Sequence, residues 1–360
     1  MNATDPNATG PTRQPVRRRA TILAVLTSVA ALAVLAGCAT ATPAAAPVPA
    51  KIAVPANVPT TDLASLTLNV GDQKTELQSL LAAAGELDDL PYKIKWATFT
   101  SGAPELEALN AGAVDFAGTG NTPPIFSAAA GGKIVIVSAG RDSATGDAVL
   151  VPRGSSVRTV ADLKGKRVAV AKGSSAHGNL LLQLKKAGLQ PTDVETTFLA
   201  PSDGYAALSS GRVAAWVVWD PFTAQAEQQL GARVVSNGKG VANGLAFQMG
   251  SRAALADPAR NSAIKDLVAR TVRAHIWSKA HPQQWARAYS RQSGLPYAVT
   301  LATAQRSDDD PITLTPQVVA DEQKLADAFA DAKVVPTRPN IAGIIDDRYN
   351  QVVTGAGARS

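Results

Sequence analysis

Short runs rich in Val, Ile and other apolar residues alternate along this chain with stretches whose apolar positions recur every three or four residues. Strand-like runs fall at residues 66–70, 92–98, 114–117 and 134–138, and the intervening residues 74–84, 103–110 and 125–130 carry the helical period. Gly85 and Gly112 stand where the first two helices should stop. The order then recurs, with strands at 168–171, 195–199 and 213–219 and helices at 175–187 and 203–210, closed by Gly188 and Gly211. Such alternation predicts an α/β fold with largely parallel strands. Beyond Gly244, "LAFQMGSR" reads as one more strand. Long helical patterns over 263–279, 282–293 and 316–332 follow, with a polar break at 307–311.

Part of the pattern is written twice. "EALNAGAVDFAGTGNTP" and "AALSSGRVAAWVVWDP" align at an offset of 99 residues, which sets Leu109 on Leu208, Gly112 on Gly211, Val114 on Val213 and Asn121 on Asp220. Shared α/β grammar is one explanation. The other is a pair of similar lobes, each turning its strand-end loops toward a common cleft, since ligands of open α/β sheets bind beyond the carboxyl ends of the strands. On that reading residues 61–146 and 245–360 build the first lobe and residues 147–244 the second. The chain would cross between them near residues 143–149 and 241–245.

The N-terminus changes the picture of where the protein acts. Arg13, Arg17, Arg18 and Arg19 precede a run over residues 20–36 that is almost entirely apolar or small, and shorter than a membrane span needs. It ends in Leu35-Ala36-Gly37-Cys38, which resembles the lipobox of bacterial lipoproteins. That resemblance implies a signal peptide at 1–37, lipid attached to Cys38, and a body held outside the cytoplasm at the cell membrane. The competing reading is an uncleaved anchor, and Sec and twin-arginine export both remain open. Residues 38–60, rich in Ala, Pro and Thr, hold too little large apolar content to form a core and read as a tether.

Charge and cysteine content narrow the chemistry. Four of the 35 basic and one of the 29 acidic residues lie in the leader, which leaves 31 against 28 in the rest of the chain. So small an excess, spread along the chain, argues against nucleic acid as a partner. Cys38 is the only cysteine, so the body holds no disulfide, thiolate metal site or cysteine nucleophile. His177, His275 and His281 show no metal-binding spacing, and neither Ser174 nor Ser175 lies in a G-x-S-x-G elbow. No catalytic residue, metal or cofactor is expected.

What remains is a set of loops at predicted helix starts, where unpaired N–H groups and the helix dipole favour anions. "GDQKTE" places Gln73 there, "GTGNTPP" places Thr119, Gly120 and Asn121, and "AKGSSAHG" places Gly173, Ser174, Ser175 and His177. "WDPF" sets Trp219 and Asp220 at a strand end. Each hydroxyl either caps its own helix or faces a ligand. His177 either donates to an anion or caps a loop carbonyl, and Trp219 either packs on a ligand or belongs to the core. Taken together, neutral donors and glycine suit a small oxyanion beside a short apolar group.

"LEALNAGAVDFAGTGNTPPIFSAAAG", "VADLKGKRVAVAKGSSAHGNLLLQLKKAGL" and "AAWVVWDPF" strongly resemble the aliphatic-sulfonate-binding proteins of bacterial ABC importers, well over residues 66–250 and loosely beyond. The resemblance implies a two-lobed, type II periplasmic-binding-protein-like fold, with a ligand cleft between the lobes and a helical C-terminal tail on the first. It implies a monomeric receptor that delivers alkanesulfonates, a sulfur source, to a permease driven by an ATPase. Carried over, Gln73, Thr119, Gly120, Asn121, Ser174, Ser175 and His177 surround the sulfonate, while Trp219 and Asp220 line the tail or latch the lobes. Asp72, where the family usually has an aromatic or apolar residue, and Arg141 in "GRDSATGD" depart from the pattern. Rival readings are taurine, nitrate or bicarbonate as ligand, a desulfinase-like enzyme, and a ligand-sensing adaptor for a membrane kinase. The enzyme lacks its cysteine here.

Overall fold

A computed structural model describes residues 52–357; Cys38, the signal peptide and most of the tether lie outside them. The first lobe opens with β1 (Thr67–Gln73), α1 (Glu76–Ala83), β2 (Lys93–Phe99), α2 (Gly102–Asn110), β3 (Phe116–Gly120), α3 (Thr122–Ala129) and β4 (Ile134–Arg141). The second lobe holds β5 (Ala148–Val151), β6 (Arg167–Val170), α4 (Ser175–Lys186), β7 (Glu195–Phe198), α5 (Pro201–Ser209), β8 (Ala215–Val218), α6 (Phe222–Leu230) and β9 (Arg233–Asn237). The chain then returns through β10 (Leu245–Ser251), α7 (Arg252–Ala256), α8 (Pro258–Ala280), α9 (Pro282–Ser293) and α10 (Tyr297–Arg306). It finishes with β11 (Asp310–Ile312), α11 (Pro316–Asp331) and α12 (Asn350–Gly357).

Two sheets result, ordered β11-β4-β10-β3-β1-β2 and β7-β6-β8-β5-β9. The β1–β2, β1–β3, β6–β7 and β6–β8 pairs are parallel, as alternation predicts. The strands next to the crossings are not. β10 runs antiparallel to both β3 and β4, and β5 antiparallel to both β8 and β9. A strand that enters a sheet from the other lobe has no crossover helix to reverse it, so it lies antiparallel. Periodicity alone does not reveal that.

Apolar side chains cover both faces of each sheet. Leu68, Val70 and Phe116 pack under α1, α8 and α9 on one face of the larger sheet, and Ile125, Ile136, Phe247 and Phe329 fill the other. α8 is longer than its apolar period suggested because Asp257 caps it, accepting the Arg260 N–H at 2.8 Å, with Pro258 in its first turn. α1 is shorter than expected: Lys74 and Thr75 hold φ of 55° and 60°, outside the helical region. The polar break at 307–311 leads into β11, which pairs with β4.

In the second lobe α5 lies close on β8 because Gly204 has no side chain; a Cβ there would sit 2.8 Å from Cε2 of the fully buried Trp216. Replacing Gly204 with Ala should therefore destabilise the protein by about 1–3 kcal/mol through overpacking. Denaturant titration checks this, and a midpoint equal to that of the parent would show that Trp216 can move aside.

Candidate ligand cleft

The carboxyl ends of β1 and β3 and the N-terminal turn of α4 converge with the end of β8 on a cleft made of two adjoining cavities, about 220 Å³ and 190 Å³. Gln73, Glu76, Gly120, Trp219, Ala246 and Asp309 line both. The larger cavity has apolar walls from Leu77, Leu80, Phe247, Val272 and Trp285, and the smaller is polar, with Asn121, Ser174 and Ser175. The two lobes approach closely where β3 meets α4: a Cβ on Gly120 would lie 3.0 Å from that of Ser175. Gly120 thus admits Ser175 to the cleft.

The neutral donors are held by named partners. Ser175 Oγ donates to Asp147 at 2.9 Å, and Ser174 Oγ donates to the Ala171 carbonyl at 2.7 Å while capping α4 through the His177 N–H at 3.3 Å. Asn121 Nδ2 donates to Asn243 at 2.7 Å, and Asn243 in turn donates to Glu322 at 2.9 Å. Gln73 Nε2 donates to Glu105 at 2.8 Å and to the Gly118 carbonyl at 3.2 Å, and Thr119 Oγ1 donates to the Gly120 carbonyl at 3.0 Å. Thr119 faces the larger cavity, not the serines.

Two of the expected site residues lie elsewhere. Gly173 and His177 line neither cavity. The His177 ring is buried among Phe126 and Phe329 of the first lobe and Phe198 of the second, with centroids 5.6, 5.3 and 5.3 Å away. Its Nδ1 accepts the Gly173 N–H at 3.2 Å, and burial lowers its pKa to about 4. A neutral ring with that tautomer packs the lobes together behind the cleft. Gly173, at φ 71°, leaves room for Phe126.

Asp220 does reach across the lobes. Its carboxylate receives Arg306 of α10 in two hydrogen bonds of 2.8 Å each, and the same guanidinium donates to Glu227 at 2.6 Å. Trp219, half-buried and edge-on to Phe222 at 5.7 Å, lines both cavities. Asp72 lies in the wall of the larger cavity and caps α1, accepting from Leu77 and Gln78 at 3.0 Å each. Arg141 pairs with Asp321 on α11 at 3.0 Å and lines neither cavity.

Sequence reasoning placed Asp72 and Asp220 at the site but missed the rest of its acidity, which comes from Glu76, Asp142, Asp147 and Asp309. Burial, reinforced by Asp72 and Asp309, lifts Glu76 to about 8, and burial lifts Asp72 to about 6 against the pull of backbone amides. Asp142 and Asp147 rise to about 7, again mainly through burial. The only signal was the unusual "GRDSATGD" crossing, which supplies the last two. Arg306 was missed because Thr and Val obscure the period of α10.

Two α/β lobes joined by two crossings, with a cleft at their facing strand ends, define a type II periplasmic binding protein. Comparison with known proteins agrees. A relative in Escherichia coli (strain K12) named for aliphatic sulfonate binding is 35% identical over 281 residues, spanning 76% of this chain and 86% of the relative. The alkanesulfonate-binding protein of Xanthomonas axonopodis pv. citri, solved bound to MOPS, superposes with a TM-score of 0.72 at 33% identity, covering 79% of this chain and 99% of that one. The periplasmic aliphatic sulphonate binding protein of Escherichia coli gives 0.69 at 34% identity, covering 78% and 92%. A family model matches residues 59–293, and the chain belongs to the NMT1-like family.

The burial of His177 has a measurable sign. Its folded pKa lies below the unfolded value near 6.5, so the unfolded chain takes up the proton first and stability falls as pH drops from about 6.5 toward 4. His177→Gln should remove up to about 3 kcal/mol of that pH dependence. Denaturation of both proteins at pH 4.5 and 7 measures the difference; identical pH dependence would place the ring in contact with water.

Proposed function

We propose that this protein captures aliphatic sulfonates outside the cytoplasm and delivers them to an ABC permease and its ATPase for sulfur acquisition. The observation that carries the reading is the cleft itself. A polar end built from Gly120, Asn121 and Ser175, contributed by both lobes, adjoins a longer chamber walled by Leu77, Leu80 and Phe247. A sulfonate head accepts hydrogen bonds and carries no proton to donate, so main-chain amides, hydroxyls and side-chain amides suit it. An alkyl tail suits the apolar walls. The family membership and the alkanesulfonate-binding relatives support the same ligand class. Nitrate or bicarbonate would leave those walls unused.

On this reading Gly120, Asn121 and Ser175 hold the head, Ser175 by turning its hydroxyl from Asp147, while Gln73 stays bonded to Glu105 and the Gly118 carbonyl in the wall and Trp219 borders the tail. Thr119 serves the tail side, and Ser174 acts mainly as the cap of α4. Residues 61–146 and 245–360 move as one lobe and 147–244 as the other, with Asp220 and Arg306 as a latch between them. The protein works as a monomer, tethered by lipid on Cys38. Among the described residues no helix is long and apolar enough to cross a membrane. Attachment therefore rests on the N-terminal segment.

Three measurements test this. Propanesulfonate and longer homologues should bind with micromolar or lower Kd in calorimetry, as a preformed cleft with convergent donors allows; absence of heat across the series would refute sulfonate capture. Ser175→Ala should weaken that binding by about tenfold, the cost of one lost hydrogen bond to a charged group. Unchanged affinity would place the head elsewhere. Cys38→Ser should move the protein from the membrane to the soluble fraction, and continued sedimentation with membranes would overturn lipid anchoring.

A further inference from the structure

A file of polar side chains runs from the polar cavity into the apolar core beneath α11. Asn121 lines the cavity, and its Nδ2 donates to Asn243 Oδ1 at 2.7 Å. Asn243 sits in the segment between β9 and β10 that crosses between the lobes, and it lines neither cavity. Its Nδ2 donates to Glu322 Oε2 at 2.9 Å. Glu322 is 0% exposed, and its Oε1 has no hydrogen-bond partner. Its neighbours along α11, Val318, Leu325, Ala326 and Phe329, belong to the apolar cluster that fills that face of the larger sheet. A buried acid with one oxygen unpaired costs stability that a Met or Leu would not, so packing gives no reason for a carboxyl group here. The hydrogen bond to Asn243 does.

The file has a fixed direction. The Leu245 main-chain N–H donates to Asn243 Oδ1 at 3.1 Å, and a main-chain N–H can only donate. Asn243 is therefore held from both ends, its carbonyl by Leu245 and its NH2 group by Glu322. Burial lifts Glu322 to about 8, and with its proton on the unpaired Oε1 or absent, the oxygen toward Asn243 accepts. Because Asn243 offers a carbonyl to Asn121, Asn121 must turn its own NH2 group that way, while its Oδ1 accepts from Thr122 Oγ1 at 2.8 Å. The second Nδ2 hydrogen of Asn121 has no protein acceptor among the described residues and is left for the cavity. A sulfonate offers acceptors alone, so a flipped Asn121 that presented its carbonyl would repel it.

We propose that Glu322 is a positioning residue for ligand capture: by holding Asn243 it fixes the Asn121 amide with an N–H, and not its carbonyl, toward the sulfonate head. This rests on the sulfonate reading. Glu322 touches no ligand and acts through two amides, each polarising the next. The Gly244 carbonyl accepts the Asp142 N–H at 2.9 Å, so the two crossings are bonded to each other beside Asn243. The segment that carries the chain between the lobes thus also sets the donor that meets the head.

The test is a double-mutant cycle, read by calorimetry with propanesulfonate on the detergent-solubilised full chain. Glu322→Met, which removes the acceptor at similar volume, should weaken binding by about tenfold. Glu322→Gln keeps an acceptor oxygen for Asn243 and should bind within about twofold of the parent. In an Asn121→Ala background Glu322→Met should change affinity by less than about twofold, since the group it positions is gone. Should Glu322→Met fail to fold, Asn243→Ala takes its place in the cycle with the same expected loss. Parent-like affinity of Glu322→Met, no rescue by Glu322→Gln, or an equal loss with and without Asn121 would each overturn the positioning role while leaving sulfonate capture intact. A parent protein that binds no propanesulfonate would refute sulfonate capture itself, and the role with it.

Discussion

The structure depends on how closely the first turn of α4 approaches the first lobe. Glycine makes that approach possible at three points. Gly120 yields to Ser175, Gly178 yields to Thr122, and Gly173 yields to the Phe126 ring. A side chain at any of these positions would crowd its neighbour across the lobes, most severely at Gly178 against Thr122. Hydrogen bonds to a ligand in the polar end of the cleft gain strength as water is excluded, so steric fit at three glycines sets the electrostatic environment of the site. Behind that turn the His177–Phe126–Phe329 cluster supplies apolar contact, and in front of it Arg306 and Asp220 supply charge.

Much of this was legible in the sequence, for a definite reason. Gly120 and Ser175 stand where a strand gives way to a helix, and the hydroxyl, amide and glycine pattern of such turns is written in adjacent residues. The same turn misled on His177. Its position within the first helical turn says that it is near the N–H groups, but not which side of the helix it leaves from, and three phenylalanines distant in sequence decide that. Arg306 and Asp309 come from beyond residue 300, where the chain returns to the cleft through tertiary packing alone. Glu76 looked like an ordinary acidic residue in a first helical turn. Only the fold shows that it faces Asp72 and Asp309.

Placing a negative ligand among buried carboxylates sets two demands against each other. Groups lifted to about 7 or 8 are partly protonated near neutrality, which softens the repulsion without removing it. Their raised pKa values also mean that the folded state binds protons the unfolded chain does not hold at the same pH. Stability from these carboxylates therefore declines as pH rises from about 4 toward 8, opposite in sign to the His177 contribution. The binding site thus costs stability, as sites commonly do, and the packed clusters on both sheet faces offset it.

The placement of β10 bears on how the molecule is built up from a linear chain. β10 occupies the slot between β3 and β4 and is bonded to both, yet it follows the entire second lobe in sequence. The first lobe therefore cannot join β3 to β4 until about a hundred intervening residues have emerged, and its sheet is complete only when β11 follows. The second lobe, one uninterrupted segment, has every partner it needs earlier. Synthesis proceeds from the N-terminus, but assembly of finished sheets proceeds from the middle outward, with the edges of β3 and β4 left unpaired in the meantime. An exported chain of this design spends that interval with two open strand edges, and a chaperone that shields them would act on the half made first.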